Sequence, residues 1–150
     1  MQCIDYLKEW IRNDLSEPQK DLNNLSACPF AKTALDADKI EFYYTTHSTL
    51  PKVVDLENLD AVVFIFDNTI SPDELYDLAI KFNKQNPDLV ALEDHPLEPE
   101  TLNDIVFNNK KYPIIIIQSR EKLEHYRKIL KKKGYYDNWS AHDLDELLNR

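Results

Sequence analysis

The chain has 150 residues, with 18 Lys and Arg against 27 Asp and Glu, for a net charge of −9. That length fits one α/β domain over residues 1–150 with one sizeable core, and 43% hydrophobic with 30% charged residues is the balance of a soluble globular protein. The longest apolar runs, Ala61–Phe66 and Ile114–Ile117, are far shorter than the roughly 20 residues of a membrane span, and the N-terminus lacks the charged-then-apolar pattern of a secretory signal.

Ile4, Leu7, Trp10, Ile11 and Leu15 recur at helical spacing, so residues 3–15 are expected to form an amphipathic helix that Pro18 terminates. Residues 16–26 are polar and read as a loop. A short helix is expected after Cys28, with Pro29 at its first position. Ile40–Thr45 is aromatic-rich and partly alternating, which predicts a strand. Ala61–Phe66 is apolar on both faces and reads as a buried central strand. Ser71, Pro72 and Glu74 spell a capping box ahead of a helix that carries Leu75, Leu78, Ala79 and Phe82. A short strand is expected at Leu89–Leu92, then a short helix opened by Pro99 with Leu102, Ile105 and Val106 along it. Pro113–Ile117 reads as a second central strand. The helix after Ser119 should end at Gly134, and Ser140–Asn149 should form a last short helix.

Alternating strands and helices from residue 61 onward point to an α/β layered domain. The expected architecture is a four-stranded mixed sheet with helices packed on it, ferredoxin-like or a permutation of that fold. A thioredoxin-like sheet is the alternative. Strands apolar on both faces need cover from helices or from a second subunit, so a homodimer is expected.

Gly134 is the sole glycine, which excludes the glycine-rich phosphate loops and the G-x-S-x-G nucleophile elbow. The cysteines, Cys3 and Cys28, form no disulfide framework and no C-x-x-C pair, which suggests a reducing compartment such as the cytoplasm. His47, His95, His125 and His142 lack metal-site spacing, so no metal is expected; nothing in the sequence identifies a cofactor.

Cys28-Pro29-Phe30-Ala31-Lys32 is the most informative segment. A thiol capping a helix faces the positive end of the dipole, and Lys32 stands one turn on; both effects would lower its pKa. Cys28-Pro29-Phe30-Ala31 is also similar to the glutaredoxin C-P-[FY]-C segment with its second cysteine missing. The packing alternative is a small buried hydrophobe. His95 lies past a strand end, where open α/β sheets place their sites, and is a candidate base or thiolate partner. Asn108 and Tyr112 flank a strand start, where they would bond a ligand or satisfy a turn. Residues 108–133 hold nine Lys and Arg, including Arg120 and Arg127, against Glu121 and Glu124, a local charge of +7 with −16 elsewhere. Such a face could dock an anion, although the acidity of the whole chain argues against a dedicated nucleic-acid binder.

Trp10, the Cys28–Lys32 segment, His95-Pro96, Tyr112-Pro113 and Arg120-Glu121 occur in an order that resembles an uncharacterised bacterial and plant family, a domain of unknown function. That family carries a Trp helix, C-P-F-A-K, an H-P step and a Y-P strand start. The resemblance spans about 110 residues and implies a shared fold, but no reaction. The expected function is a small-molecule enzyme or ligand-binding domain, with Cys28 and His95 as catalytic candidates and Lys32, Asn108, Tyr112 and Arg120 as ligand-binding candidates. A noncatalytic module that self-associates or binds a protein partner is the alternative, and a degenerate redox domain of thioredoxin type is a second one.

Overall fold

A computed structural model describes residues 2–46, 48–52, 54–98, 101–102 and 105–150, with only the backbone described at 101–102 and 105–106. His47 and Pro99 lie outside the described residues. Helix α1 (Gln2–Asn13) is followed by strands β1 (Pro18–Gln19) and β2 (Leu25–Ser26), helix α2 (Ala31–Asp36) and strands β3 (Ile40–Thr45) and β4 (Ala61–Phe66). Helix α3 (Pro72–Gln85) leads to β5 (Leu89–Asp94), the two-residue strands β6 (Thr101–Leu102) and β7 (Ile105–Val106), and β8 (Ile114–Ser119). Helices α4 (Arg120–Lys132) and α5 (Ala141–Leu148) follow, and a single 3-10 turn, Lys20–Leu22, lies between β1 and β2.

The sheet has four strands in the order β3-β4-β8-β5. β3 runs parallel to β4, while β8 runs antiparallel to both β4 and β5. β4 and β5 therefore share a direction, with β8 between them and α3 connecting them. This is the split β-α-β arrangement of a ferredoxin-like sheet. The fourth strand, β3, precedes the unit instead of following it and runs parallel to β4, which makes the sheet a four-stranded mixed one built on that unit. The thioredoxin-like alternative finds no match: Cys28 precedes every strand of this sheet, and the Tyr112–Pro113 peptide bond is trans.

All six residues of β4 are buried, because both sheet faces are covered. On one face Val62, Phe64, Phe66, Ile115 and Ile117 pack against Leu75, Ala79 and Phe82 of α3. On the other, Val63, Ile65 and Ile114 pack against Leu7, Trp10 and Ile11 of α1 and Leu35 of α2. A smaller cluster joins Leu22, Leu130 and Tyr135, with Phe30, Tyr136 and Trp139 packed on it.

The helix boundaries follow their chemistry. Ser71 and Glu74 form a reciprocal capping box at the start of α3, with Pro72 in its first turn. At the end of α4, Gly134 takes φ +77°. Tyr135 N donates to Leu130 O (3.0 Å) and Gly134 N to Lys131 O (3.2 Å), the paired bonds of a Schellman cap.

Two segments depart from expectation. Residues 16–26 contain a small hairpin, not a plain loop, because Asn23 and Asn24 adopt left-handed φ values of 54° and 62° and supply the turn. The short helix expected through Leu102, Ile105 and Val106 is instead the antiparallel pair β6–β7, in keeping with the strand preference of Ile105 and Val106.

Candidate functional site

Helix α2 begins at Ala31 with Phe30 as its cap residue, two positions later than the Cys28 cap predicts. Cys28 belongs to the turn before it, where Cys28 O accepts from Ala31 N (3.1 Å) and Cys28 N donates to Leu15 O (3.2 Å). The thiol is partly buried. Burial pushes its pKa up, and the backbone N–H groups of Ala31 and Phe30 oppose that only in part. The expected depression of the Cys28 pKa is thus reversed: desolvation outweighs the helix end. Lys32 does not serve the thiol either. Its exposed ammonium pairs with Asp36 at 2.5 Å, one turn along α2.

His95 is buried just past the end of β5. Its Nδ1 accepts from Leu97 N (3.1 Å), which leaves the proton on Nε2 to donate to Ile70 O (2.8 Å). Both ring nitrogens are thereby held by backbone. Cys28 interacts with Leu15, Phe30, Ala31 and Tyr135, while His95 interacts with Ile70, Asp94, Leu97, Glu98 and Asn108. No residue belongs to both sets, so the described contacts give no cysteine–histidine dyad.

What surrounds His95 is a buried polar cluster. Asn108 Nδ2 donates to His95 O (3.1 Å) and Pro96 O (3.4 Å). Asn109, only 1% exposed, donates from Nδ2 to Asp94 Oδ2 (2.8 Å) and Tyr112 O (2.7 Å). Its Oδ1 accepts from Lys111 N (3.0 Å) and Tyr112 N (2.6 Å), while its backbone N–H donates to Asp94 Oδ2 (3.0 Å). Tyr6 of α1 donates to Asn109 O. Burial raises the Asp94 pKa, and the Asn109 donors counter that only in part. Asp94 Oδ1 and Asn108 Oδ1 are buried without a hydrogen-bond partner among the described residues.

Of the six residues singled out from sequence, the cluster brings together His95, Asn108 and the main chain of Tyr112, whose ring packs edge-on against Tyr6. Asp94 and Asn109, which sequence reading did not select, are its centre. Arg120 lies at the other end of the sheet, since β5 pairs Leu89 with Ser119 there and Asp94 with Ile114 here. Five residue steps separate the ends by about 17 Å. Arg120 donates to Pro87 O (2.8 Å), Arg150 O (3.0 Å) and Leu89 O (3.4 Å), bonds that fasten backbone.

A second feature stands at the free edge of the sheet. Tyr43 and Tyr44 on β3 are 49% and 45% exposed. With Thr45, Thr49, Leu50, Pro51 and Phe64 they line an open depression of about 320 Å³. The Tyr43 ring stacks on Phe64 at 5.7 Å, and its hydroxyl donates to Glu41. Lys39 O accepts from Ala61 N (3.2 Å), so the odd-numbered backbone groups of β3 face β4. By alternation, those of Ile40, Phe42 and Tyr44 face outward, where no strand pairs with them among the described residues.

Among the described residues no group of three or more His, Cys, Asp or Glu could hold a metal ion, and no helix is long and apolar enough to cross a membrane. The chain matches no protein-family model, no curated protein and no solved structure.

Proposed function

We propose that this domain is a noncatalytic binding module that takes an extended polypeptide segment onto the outer edge of β3. The observation that carries this reading is the combination at one strand: outward backbone groups at Ile40, Phe42 and Tyr44, beside the tyrosine-lined depression. An added strand would use those groups for main-chain hydrogen bonds and the depression for a side chain. Native edge strands are usually blunted by lysine, proline or a bulge, and β3 has none of these within Ile40–Thr45. Glu41 beside Tyr43 favours a segment that carries a basic residue. A reaction centred on Cys28 and His95 has less support, because the thiol is desolvated and both imidazole nitrogens are engaged.

The test begins with selection of binders from a random peptide library. Binders should protect the Ile40, Phe42 and Tyr44 amides from hydrogen exchange. Tyr44→Pro, which removes one outward N–H and leaves the ladder to β4 intact, should abolish binding. Binders insensitive to both Tyr44→Pro and Tyr43→Ala would place the function elsewhere. Light scattering that shows a concentration-dependent dimer, lost in Tyr44→Pro, would make a second copy the occupant and overturn the proposal of a foreign segment.

A further inference from the structure

A stripe along α1 frames a second, smaller depression. Tyr6, Glu9, Trp10 and Asn13 recur at helical spacing and share one face of α1, and Asp14 stands just past its end. These residues line a depression of about 150 Å³. Both of its rings are held at their polar tips. Trp10, 7% exposed, donates from Nε1 to Phe107 O (3.1 Å), and the Tyr6 hydroxyl donates to Asn109 O. What the rings offer a ligand is carbon and the negative face of a π-system.

The charge lining the depression is negative. Glu9 and Asp14 are exposed and enter no ion pair among the described residues. The cations of α1 are engaged elsewhere: Lys8 Nζ stands 5.9 Å from the Phe42 ring centroid, and Arg12 pairs with Asp36 at 3.7 Å. The helix also ends at Asn13, so its negative dipole end lies at this depression. Tyr6 already takes one cation. Lys111 Nζ lies 4.9 Å from its ring centroid and 5.4 Å from that of Tyr112, and the two rings meet edge-on at 5.6 Å. Lys111 is exposed and is not among the residues that line the depression.

We propose that this depression binds a small quaternary ammonium cation. Such a cation has no N–H to satisfy and holds its water weakly, so aromatic faces beside carboxylates suit it. A hard metal ion needs about six oxygen ligands at close range, whereas the lining supplies two carboxylates and one side-chain amide. The site is independent of the β3 edge and of any peptide bound there.

The experiment is a titration of the whole chain with choline chloride at constant ionic strength, balanced with sodium chloride. It follows the indole N–H resonances of Trp10 and Trp139 by NMR, with Trp139→Phe to assign them. The Trp10 resonance should move saturably, while that of Trp139, which packs on the separate Tyr135 cluster, stays in place. Dimethylbutanol, in which carbon replaces the charged nitrogen of choline, should bind about tenfold more weakly. Glu9→Gln and Asp14→Asn alter exposed side chains and should each weaken choline about threefold. Lys111→Met removes a competing cation and should tighten it. Equal binding of the neutral alcohol would show that the depression is merely apolar and would overturn the proposal. So would a choline titration that leaves Trp10 unmoved, one unchanged in the Glu9→Gln, Asp14→Asn double variant, or tighter saturation by methylammonium than by choline.

Discussion

Asn109→Ala should destabilise the fold by about 3–5 kcal/mol, although the side chain is small and polar. Four side-chain hydrogen bonds disappear together: those to Asp94 Oδ2 and Tyr112 O, and those from Lys111 N and Tyr112 N. At roughly 1 kcal/mol net for each bond the loss is about 4 kcal/mol. Exposed Lys111 can turn to water and lowers that figure, whereas buried Asp94 keeps only the backbone donor of Asn109 and raises it. The loss is a large share of a typical stability of about 5–15 kcal/mol. Urea denaturation followed by circular dichroism reads it directly. With a slope of about 2 kcal/mol per molar, the midpoint should fall by about 2 M with the slope unchanged. Asn109→Asp sharpens the test, because it keeps the acceptor, loses both donors and sets a second carboxylate beside Asp94. It should be the less stable variant at neutral pH and recover on acidification. A loss below about 1 kcal/mol in Asn109→Ala would mean that the backbone alone holds the 109–112 turn and that the polar cluster contributes little.

Gly134→Ala should cost about 1–2 kcal/mol or more, since φ is +77° and the new Cβ would stand 2.6 Å from Asn23 Nδ2; thermal unfolding measures this, and an unchanged melting temperature would refute the cap assignment. Asp94 has its pKa raised in the folded state, so its favourable contribution is full below the unfolded carboxylate value and is lost as pH rises through the folded one. Asp94→Asn should therefore gain stability relative to the parent chain as pH goes from 4 to 8, and parallel melting curves across that range would contradict the assigned direction. The Cys28 thiol should react with iodoacetamide more slowly in the native state than in urea, and His95→Ala should leave the native rate unchanged; a native rate above the unfolded one would restore the reactive-thiolate reading.

Much of the architecture was legible because its signals are local. The run Ala61–Phe66 and the run of isoleucines from Ile114 are buried strands, as two-face apolarity requires. Ser71-Pro72-Asp73-Glu74 caps α3, and Gly134 closes α4. The site was less legible because it depends on contacts between distant residues. The expected Cys28 cap differs from the structure by a two-residue shift of the helix start, which sets the thiol in the turn before α2. Asp94 and Asn109 lie fifteen residues apart in sequence, and no spacing rule links them. One signal was available: consecutive asparagines before Tyr112-Pro113 are costly to bury unless their amides are satisfied. Adjacent residues of a strand point to opposite faces, which separates Glu93 from Asp94 at the end of β5. Glu93 pairs with Arg150, and Asp94 turns to Asn109.

The polar cluster at the end of β5 also explains why His95 sits near a strand end without the attributes of a base. β5 must hand the chain to a connection that returns into β8, its own antiparallel neighbour. That return passes the open end of the sheet, where buried backbone groups would otherwise lack partners. His95 satisfies Ile70 O and Leu97 N, Asn108 satisfies His95 O, and Asn109 ties Asp94 to the turn before β8. These bonds tie the return to itself, to the end of β5 and, through Ile70, to the turn before α3. The imidazole is therefore spent on geometry, and its two hydrogen bonds fix the neutral tautomer that a structural histidine needs. A catalytic histidine would keep one nitrogen turned toward a cleft; this one has both turned toward main chain.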